Sequence, residues 1–126
     1  MNIKESGEMY LETILVLSQE SSEIHAVMIS DRMKFSKPSV SRALGILKRE
    51  GYIEINGDDH IFLTETGRAT AEKIYERHKI LARALMSIGV SEETATADAC
   101  KIEHDISDES FEAVKTHLKG KEEQNG

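Results

Sequence analysis

Cysteine and proline each occur once in the 126 residues, tryptophan not at all, and no apolar run extends beyond a few residues. The single cysteine, Cys100, rules out an internal disulfide and fits a reducing compartment, while leaving a thiol as ligand or redox target. The short apolar runs exclude a transmembrane helix, so no membrane partner is expected. The opening Met-Asn-Ile-Lys-Glu-Ser lacks the apolar stretch of a signal peptide, which makes the expected location cytoplasmic. Repeats and low-complexity tracts are also missing, apart from a polar stretch from Gly120 to Gly126 that is expected to fray. Hydrophobic residues at 39% and charged residues at 31% fit a soluble globular chain. Its length suits one compact domain, or a small domain with a helical extension.

A net charge of −7 argues against a nucleic-acid partner until its distribution is considered. Residues 32–49 contain Arg32, Lys34, Lys37, Arg42, Lys48 and Arg49 and no Asp or Glu. A basic island on an acidic body suits a protein that meets an anionic polymer with one face. A solvated helix surface would carry the same charges, and charge alone does not separate the two.

Hydrophobic spacing predicts the order of elements. Tyr10, Leu11, Ile14, Leu15 and Leu17 make a helical stripe within residues 5–19, and a short helix follows over Ala26–Met33. Lys34-Phe35-Ser36 reads as a turn, with Ser36 capping a third helix and the sole proline, Pro38, tolerated in its first turn. This helix buries Val40, Leu44 and Leu47 and ends at Gly51. Tyr52–Ile55 and His60–Leu63 read as two strands around Asn56-Gly57-Asp58-Asp59, where Asn-Gly signals a tight hairpin with positive φ. Helix, helix, turn, helix and two-stranded wing is the order of a winged helix-turn-helix, whose third helix is expected in the major groove. Thr64 then caps a long fourth helix with apolar residues at Ala71, Ile74, Leu81, Leu85 and Ile88. Ser91 opens a fifth helix and Ser107 a sixth, in which Phe111, Val114 and Leu118 share a face. The predicted fold is mainly α: a winged helix-turn-helix over 1–72, an all-helical dimerisation and metal-binding domain over 73–120, and a flexible tail over 121–126. The surplus apolar surface of the last three helices suggests a homodimer, which a palindromic double-stranded DNA operator would require.

On the third helix Lys37, Ser39, Ser41 and Arg42 combine short hydroxyls with long cations. Arg and Lys donate to guanine or phosphate, and Ser reaches base edges or phosphates at close range. Ser36 and Pro38 join the candidate contacts at the helix start, though Ser36 as a cap alone is the plainer reading. Lys48, at the far end, suits the DNA backbone.

Cys100, Glu103 and His104 lie at i, i+3 and i+4 of the fifth helix, a thiol, a carboxylate and an imidazole expected to point away from the stripe of Ala95, Ala99, Ile102 and Ile106. These donor types suit a divalent transition metal. A solvated polar face is the competing reading. Met9 and Glu12 sit i, i+3 on the first helix, where Met9 either packs or supplies a soft sulfur ligand. His78 falls within the apolar stripe of the fourth helix, where a satisfied core histidine is equally admissible.

These residues together resemble the diphtheria toxin repressor family of iron- and manganese-dependent regulators. The likeness runs from Glu8 to about Leu118 and is carried by Glu8-Met9-Tyr10-Leu11, Pro38-Ser39-Val40-Ser41, Leu63-Thr64-Glu65-Thr66-Gly67, Arg77-His78 and Ala99-Cys100-Lys101-Ile102-Glu103-His104. It implies a metal-dependent dimeric repressor of metal-homeostasis genes, with a site between the first helix and the dimerisation helices. By this resemblance Met9, Cys100, Glu103 and His104 fall on the regulatory site of the iron branch, Glu12 matches a carboxylate ligand of the manganese branch, and His78 matches a ligand position in both. Ala82 and Thr96 stand where the iron branch has a carboxylate and a histidine of an ancillary site, so a full second site of that design is not expected. No third, SH3-like domain is recognisable in these residues, as in shorter manganese-type members. Sulfur donors disfavour Mn²⁺ relative to Fe²⁺, Co²⁺, Ni²⁺ and Zn²⁺. Fe²⁺ is therefore the favoured ion and Mn²⁺ the second choice, with other divalent transition metals binding in vitro.

Three other readings compete. One is a winged-helix regulator responding to an organic ligand or to oxidation of Cys100. Another is a metal buffer or protein-interaction module. The last, a metal-dependent hydrolase, lacks a second nucleophile or phosphate-binding loop, so no enzyme is expected.

Overall fold

Six helices and one two-stranded antiparallel sheet make up the described residues, 5–125, of the computed structural model. The chain divides into two compact units, one ending at Glu72 and the other beginning at Lys73.

In the first unit, α1 (Glu5–Glu20), α2 (Ala26–Met33) and α3 (Lys37–Arg49) precede β1 (Ile53–Ile55) and β2 (Ile61–Leu63). The α1 stripe is the middle of the core, with Leu11 and Ile14 at 0% and 1% exposure, and Ile29, Val40, Leu44 and Ile53 close around it. Removing such side chains from water is the main force holding a small unit of this kind together. The α2–α3 turn is built locally. Lys34 takes a left-handed conformation at φ 61° and donates its N–H to the Ser30 carbonyl. The buried Ser30 hydroxyl in turn donates to the Phe35 carbonyl at 2.6 Å. Ser36 then caps α3 by accepting from the Ser39 N–H. The helix closes at Gly51, φ 84°, with the Tyr52 N–H donating to the Leu47 carbonyl, the six-to-one bond of a Schellman turn.

The wing departs from the sequence prediction in its turn. Both strands are three residues long, and Ile53 pairs with Leu63 and Ile55 with Ile61. Asn56-Gly57 does not form the tight turn of positive φ. Instead Asp59 holds the left-handed position at φ 62°, and the Asp59 N–H donates to the Asn56 carbonyl. The loop is thus a three-residue connection with a left-handed last residue. The reason is the Asn56 side chain, whose Oδ1 accepts from both Asp58 N–H and His60 N–H at 2.9 Å and so organises the turn around itself.

Beyond the wing, α4 (Glu65–Ser87) starts at a knot of bonds that ties it to the end of α3. The Thr64 hydroxyl donates to the Gly51 carbonyl and accepts from the Gly67 N–H. A Cβ on Gly67 would lie 1.9 Å from the Tyr52 carbonyl oxygen, so only glycine fits there.

The second unit comprises the rest of α4, α5 (Glu92–Ile102) and α6 (Asp108–Asn125). Leu81, Ala99 and Phe111, one from each helix, are the centre of its core. Ser91 caps α5 and the Ser107 hydroxyl accepts from the Ser110 N–H at the start of α6. Two expectations change here. The helix α6 continues to Asn125 across the stretch predicted as a flexible tail, where Glu122 pairs with Arg83 and Lys121 donates to the Ser87 carbonyl. The helix α5 stops at Ile102, so Glu103 is its C-cap rather than an interior residue. Ile102, assigned to the buried stripe, is 36% exposed.

Candidate functional site

Donors gather in the second unit where α4 meets the end of α5. Ligand atoms of His78, Cys100 and Glu103 all lie within 4.8 Å of one another. His78 Nδ1 is 2.9 Å from Glu103 Oε2 and 3.7 Å from the Cys100 sulfur. The other carboxylate oxygen, Oε1, lies 3.3 Å from His104 Nε2. The side chains of Glu103 and His104 are each 1% exposed, that of His78 is 19% exposed, and Cys100 reaches solvent.

Local structure explains why a carboxylate sits so deep. Glu103 follows Ala95 and Ala99 at steps of four, so it continues the buried face of α5. The sequence reading that set Cys100, Glu103 and His104 together on an outward face is corrected on this point. Cys100 alone is outward, and Glu103 carries the site into the core. Arg77, itself only 7% exposed, holds the chain that follows. Its guanidinium donates to the Ile106 carbonyl at 2.9 Å, pairs with Asp108, and lies 5.2 Å over the Phe111 ring. The α5–α6 connection that bears Glu103 and His104 is thereby fixed against α4.

A buried carboxylate is costly unless a cation or donors compensate it. Here two imidazoles face its two oxygens with a thiol alongside, the donor types that divalent transition ions take. The residues present fit such an ion. His78 is accounted for in the same way: its ring engages Glu103 and Cys100 rather than filling an apolar stripe. Ala82 and Thr96 line one cleft with His78, contributing a methyl and a hydroxyl where a second site of the ancillary design would need a carboxylate and an imidazole.

Met9 and Glu12 are carried by α1 in the first unit, one turn apart and both partly buried, with the Met9 carbonyl accepting from the Thr13 hydroxyl at 2.8 Å. The DNA candidates Ser36, Lys37, Pro38, Ser39, Ser41, Arg42 and Lys48 are all exposed, on or just before α3. Ser36 has a structural task, since its oxygen caps α3 and its hydroxyl donates to the Ser39 hydroxyl at 2.9 Å. Of the basic island, Arg32 is paired with Glu20 at 2.6 Å, which raises its pKa further and withdraws it from the free positive face. Arg77, which ties the α5–α6 connection to α4, is a residue that chemistry-led sequence reading passes over. Its place beside His78 is the signal that could have found it.

Family comparison agrees with this architecture. Residues 2–61 match the family described as iron dependent repressor, N-terminal DNA binding domain, and residues 64–124 match iron dependent repressor, metal binding and dimerisation domain. The chain is 36% identical over 106 residues to the iron-dependent repressor IdeR of Mycobacterium tuberculosis, an alignment covering 83% of this chain and 46% of that protein. It is also 36% identical over 106 residues to the transcriptional regulator MntR of Escherichia coli, covering 84% of this chain and 68% of the relative. Among solved structures, the manganese regulator SloR superposes with a TM-score of 0.81 at 26% identity, over 94% of this chain and 55% of that one. The chain therefore spans about half the length of the mycobacterial relative and of SloR. On the strength of both domain matches and the MntR likeness, the chain belongs to the iron-dependent repressor family, that of the diphtheria toxin repressor, a family of metal-dependent transcriptional regulators.

Proposed function

We propose that this protein is a metal-activated, DNA-binding repressor of metal-homeostasis genes, a regulator rather than an enzyme. The observation that carries the reading is the buried Glu103 carboxylate, enclosed by His78 and His104 with Cys100 beside it. Met9 and Glu12 on α1 are proposed as further ligands, on the resemblance of their positions. Fe²⁺ is the favoured ion, because thiolate and thioether sulfur disfavour Mn²⁺, and Mn²⁺ is the second choice. The relatives divide the same way, one named an iron-dependent repressor and another a manganese regulator. The ion would supply positive charge and fixed bond directions. The chain's own residues do the rest: Arg77 holds Glu103 and His104 in place, and Lys37, Ser39, Ser41, Arg42 and Lys48 meet duplex DNA from the exposed side of α3.

In this reading residues 1–72 bind DNA, and residues from 73 onward dimerise and bind metal. A strongly apolar groove supports the dimer. Leu81, Leu85, Ile88, Ile102, Ile106 and Val114 line it, with Ile88 73% exposed, and a patch of that kind marks an association surface. Two copies would present two α3 helices to half-sites of a palindromic operator about 34–36 Å apart. Ion binding and operator binding must then strengthen one another equally, since linkage is reciprocal.

The test is fluorescence anisotropy on the chain's own upstream DNA, first with chelator and then with each divalent ion at matched free concentration. Tight binding that appears with Fe²⁺ supports the reading. A response to Mn²⁺ alone would replace the ion, and affinity indifferent to every ion would end the proposal. A second reading has one specific observation in its favour: Cys100 is exposed, its sulfur 3.7 Å from an imidazole nitrogen, so the thiol is open to an oxidant. Operator binding by the wild type that oxidant leaves unchanged, or an oxidant response that persists in a Cys100→Ser chain, would remove it.

A further inference from the structure

Glu23, His25 and His60 make a second group of donors, wholly within the first unit and without sulfur. Glu23 and His25 lie in the connection between α1 and α2, and His60 arrives with the wing. The backbone brings them together. The Ile61 N–H donates to the Ile24 carbonyl at 2.8 Å, so the connection runs beside the foot of β2. Ile24 and Ile61 are buried at 4% and 3% exposure, and their extended neighbours His25 and His60 therefore turn outward.

The approach of the side chains is specific. The two rings meet edge to face, their centroids 4.7 Å apart at 86°. Both Nε2 atoms converge on one oxygen, Glu23 Oε2, at 3.9 Å from His25 and 3.5 Å from His60. Those separations are long for hydrogen bonds. Two donors held on one tetrahedral ion by bonds of about 2.0–2.1 Å sit about 3.3 Å apart, close to what is seen. Each donor is also fixed by its backbone. Ser21 and Glu23 exchange two short-range bonds, Ser21 hydroxyl to Glu23 carbonyl and Glu23 N–H to Ser21 hydroxyl. The His25 N–H donates to the Met28 sulfur at 3.4 Å and the Met28 N–H donates to the His25 carbonyl at 3.0 Å. The His60 N–H is held by Asn56. Side-chain exposures of 61% for Glu23, 36% for His25 and 21% for His60 leave an entry path and room for a water ligand.

We propose that Glu23, His25 and His60 form a second metal site, for a divalent ion of the zinc class, pinning the foot of the wing to the start of α2. Two imidazole nitrogens and one carboxylate with an open position are a zinc-type donor set. Weaker-binding ions such as Mn²⁺ are disfavoured by the usual affinity order. Through β2 and α2 the ion would stiffen the wing against the helix-turn-helix.

The full chain with Zn²⁺ and Co²⁺ as probes tests this. Zinc equivalents are counted by equilibrium competition for the wild type, His25→Gln, His60→Gln and Cys100→Ser, with circular dichroism as the check on folding. Each histidine variant is expected to lose one equivalent while keeping the thiolate-to-cobalt charge-transfer band of the Cys100 centre. Cys100→Ser is expected to lose that band and still bind cobalt. In the wild type, Co²⁺ added beyond one equivalent should broaden the imidazole resonances of His25 and His60, a readout that does not depend on any variant folding. Unchanged zinc equivalents in both histidine variants, or His25 and His60 resonances left sharp by Co²⁺, would overturn the site and leave an ion-paired cluster.

Discussion

The two units hold their functional parts in different ways. In the first, the bonds that shape the α2–α3 turn and the wing loop are local: Ser30 to Phe35, Ser36 to Ser39, Asn56 to Asp58 and His60. In the second, they join residues far apart in the chain. His78 meets Glu103 across 25 positions, Arg77 meets Asp108 across 31, and Arg83 meets Glu122 across 39. A reading helix needs a fixed turn and a clean exposed face, which short-range capping supplies. A buried charged centre needs donors from separate helices, because one helix face rarely carries enough of them and also buries them. The contrast predicts that local lesions in the first unit act on folding, and lesions at the centre of the second act on ion response.

The sharpest attempt to break that contrast is Gly67→Ala. Its Cβ would collide with the Tyr52 carbonyl, a backbone atom that cannot turn aside. We expect a loss of about 3 kcal/mol in a urea melt. A loss below about 1 kcal/mol would show that the junction of wing and α4 yields, against the description of a tight knot there.

Next in size is Glu103→Gln. Wild type should gain about 2.7 kcal/mol from an activating ion present at a hundredfold excess over its Kd. The variant should gain under about 0.5 kcal/mol, with its chelator-treated melt within about 1 kcal/mol of wild type. Equal ion-induced shifts in the two thermal melts would detach Glu103 from the centre.

Lys37→Ala with Arg42→Ala sharpens the comparison from the other side. Operator affinity should fall about ten- to a hundredfold and the salt slope should flatten by about two. The melt should stay within about 0.5 kcal/mol, since both side chains are exposed. Unchanged anisotropy titrations would move DNA contact away from the start of α3.

The smallest effect is expected in the wing. Gly57→Ala should cost less than about 0.5 kcal/mol, because a Cβ there meets nothing within 4 Å and its φ is not in the left-handed region. Asp59→Ala should cost about 1 kcal/mol, having lost the residue type that tolerates φ 62°. A reversed order would restore the tight Asn-Gly turn that the sequence suggests.

Much of the first unit was legible because its signals are contiguous. The spacing of Tyr10, Leu11 and Ile14, the Ser36 cap with Pro38, and the stop at Gly51 each announce their structure within a few residues. Asn56-Gly57 misled because two local preferences compete, positive φ at Asn-Gly against the Asn56 side chain gathering N–H groups around itself. At the candidate metal centre the donor types were legible, and so was their neighbourhood in the chain. Which side of α5 they faced was not, since Glu103 lies only a small rotation from Ala99 and a charged residue is ordinarily placed outside.

By itself the sequence determined the order of elements, the basic exposed face of α3, the donor chemistry of Cys100, Glu103 and His104, and the family. These follow from periodicity, capping and residue type, which act over a turn or two of helix. Tertiary structure alone decided that Glu103 is buried between two imidazoles, that Arg77 fixes the connection carrying it, and that Glu23, His25 and His60 converge. Each of those depends on segments distant in the chain being packed side by side, and no local rule of helix or strand encodes which side chains then meet.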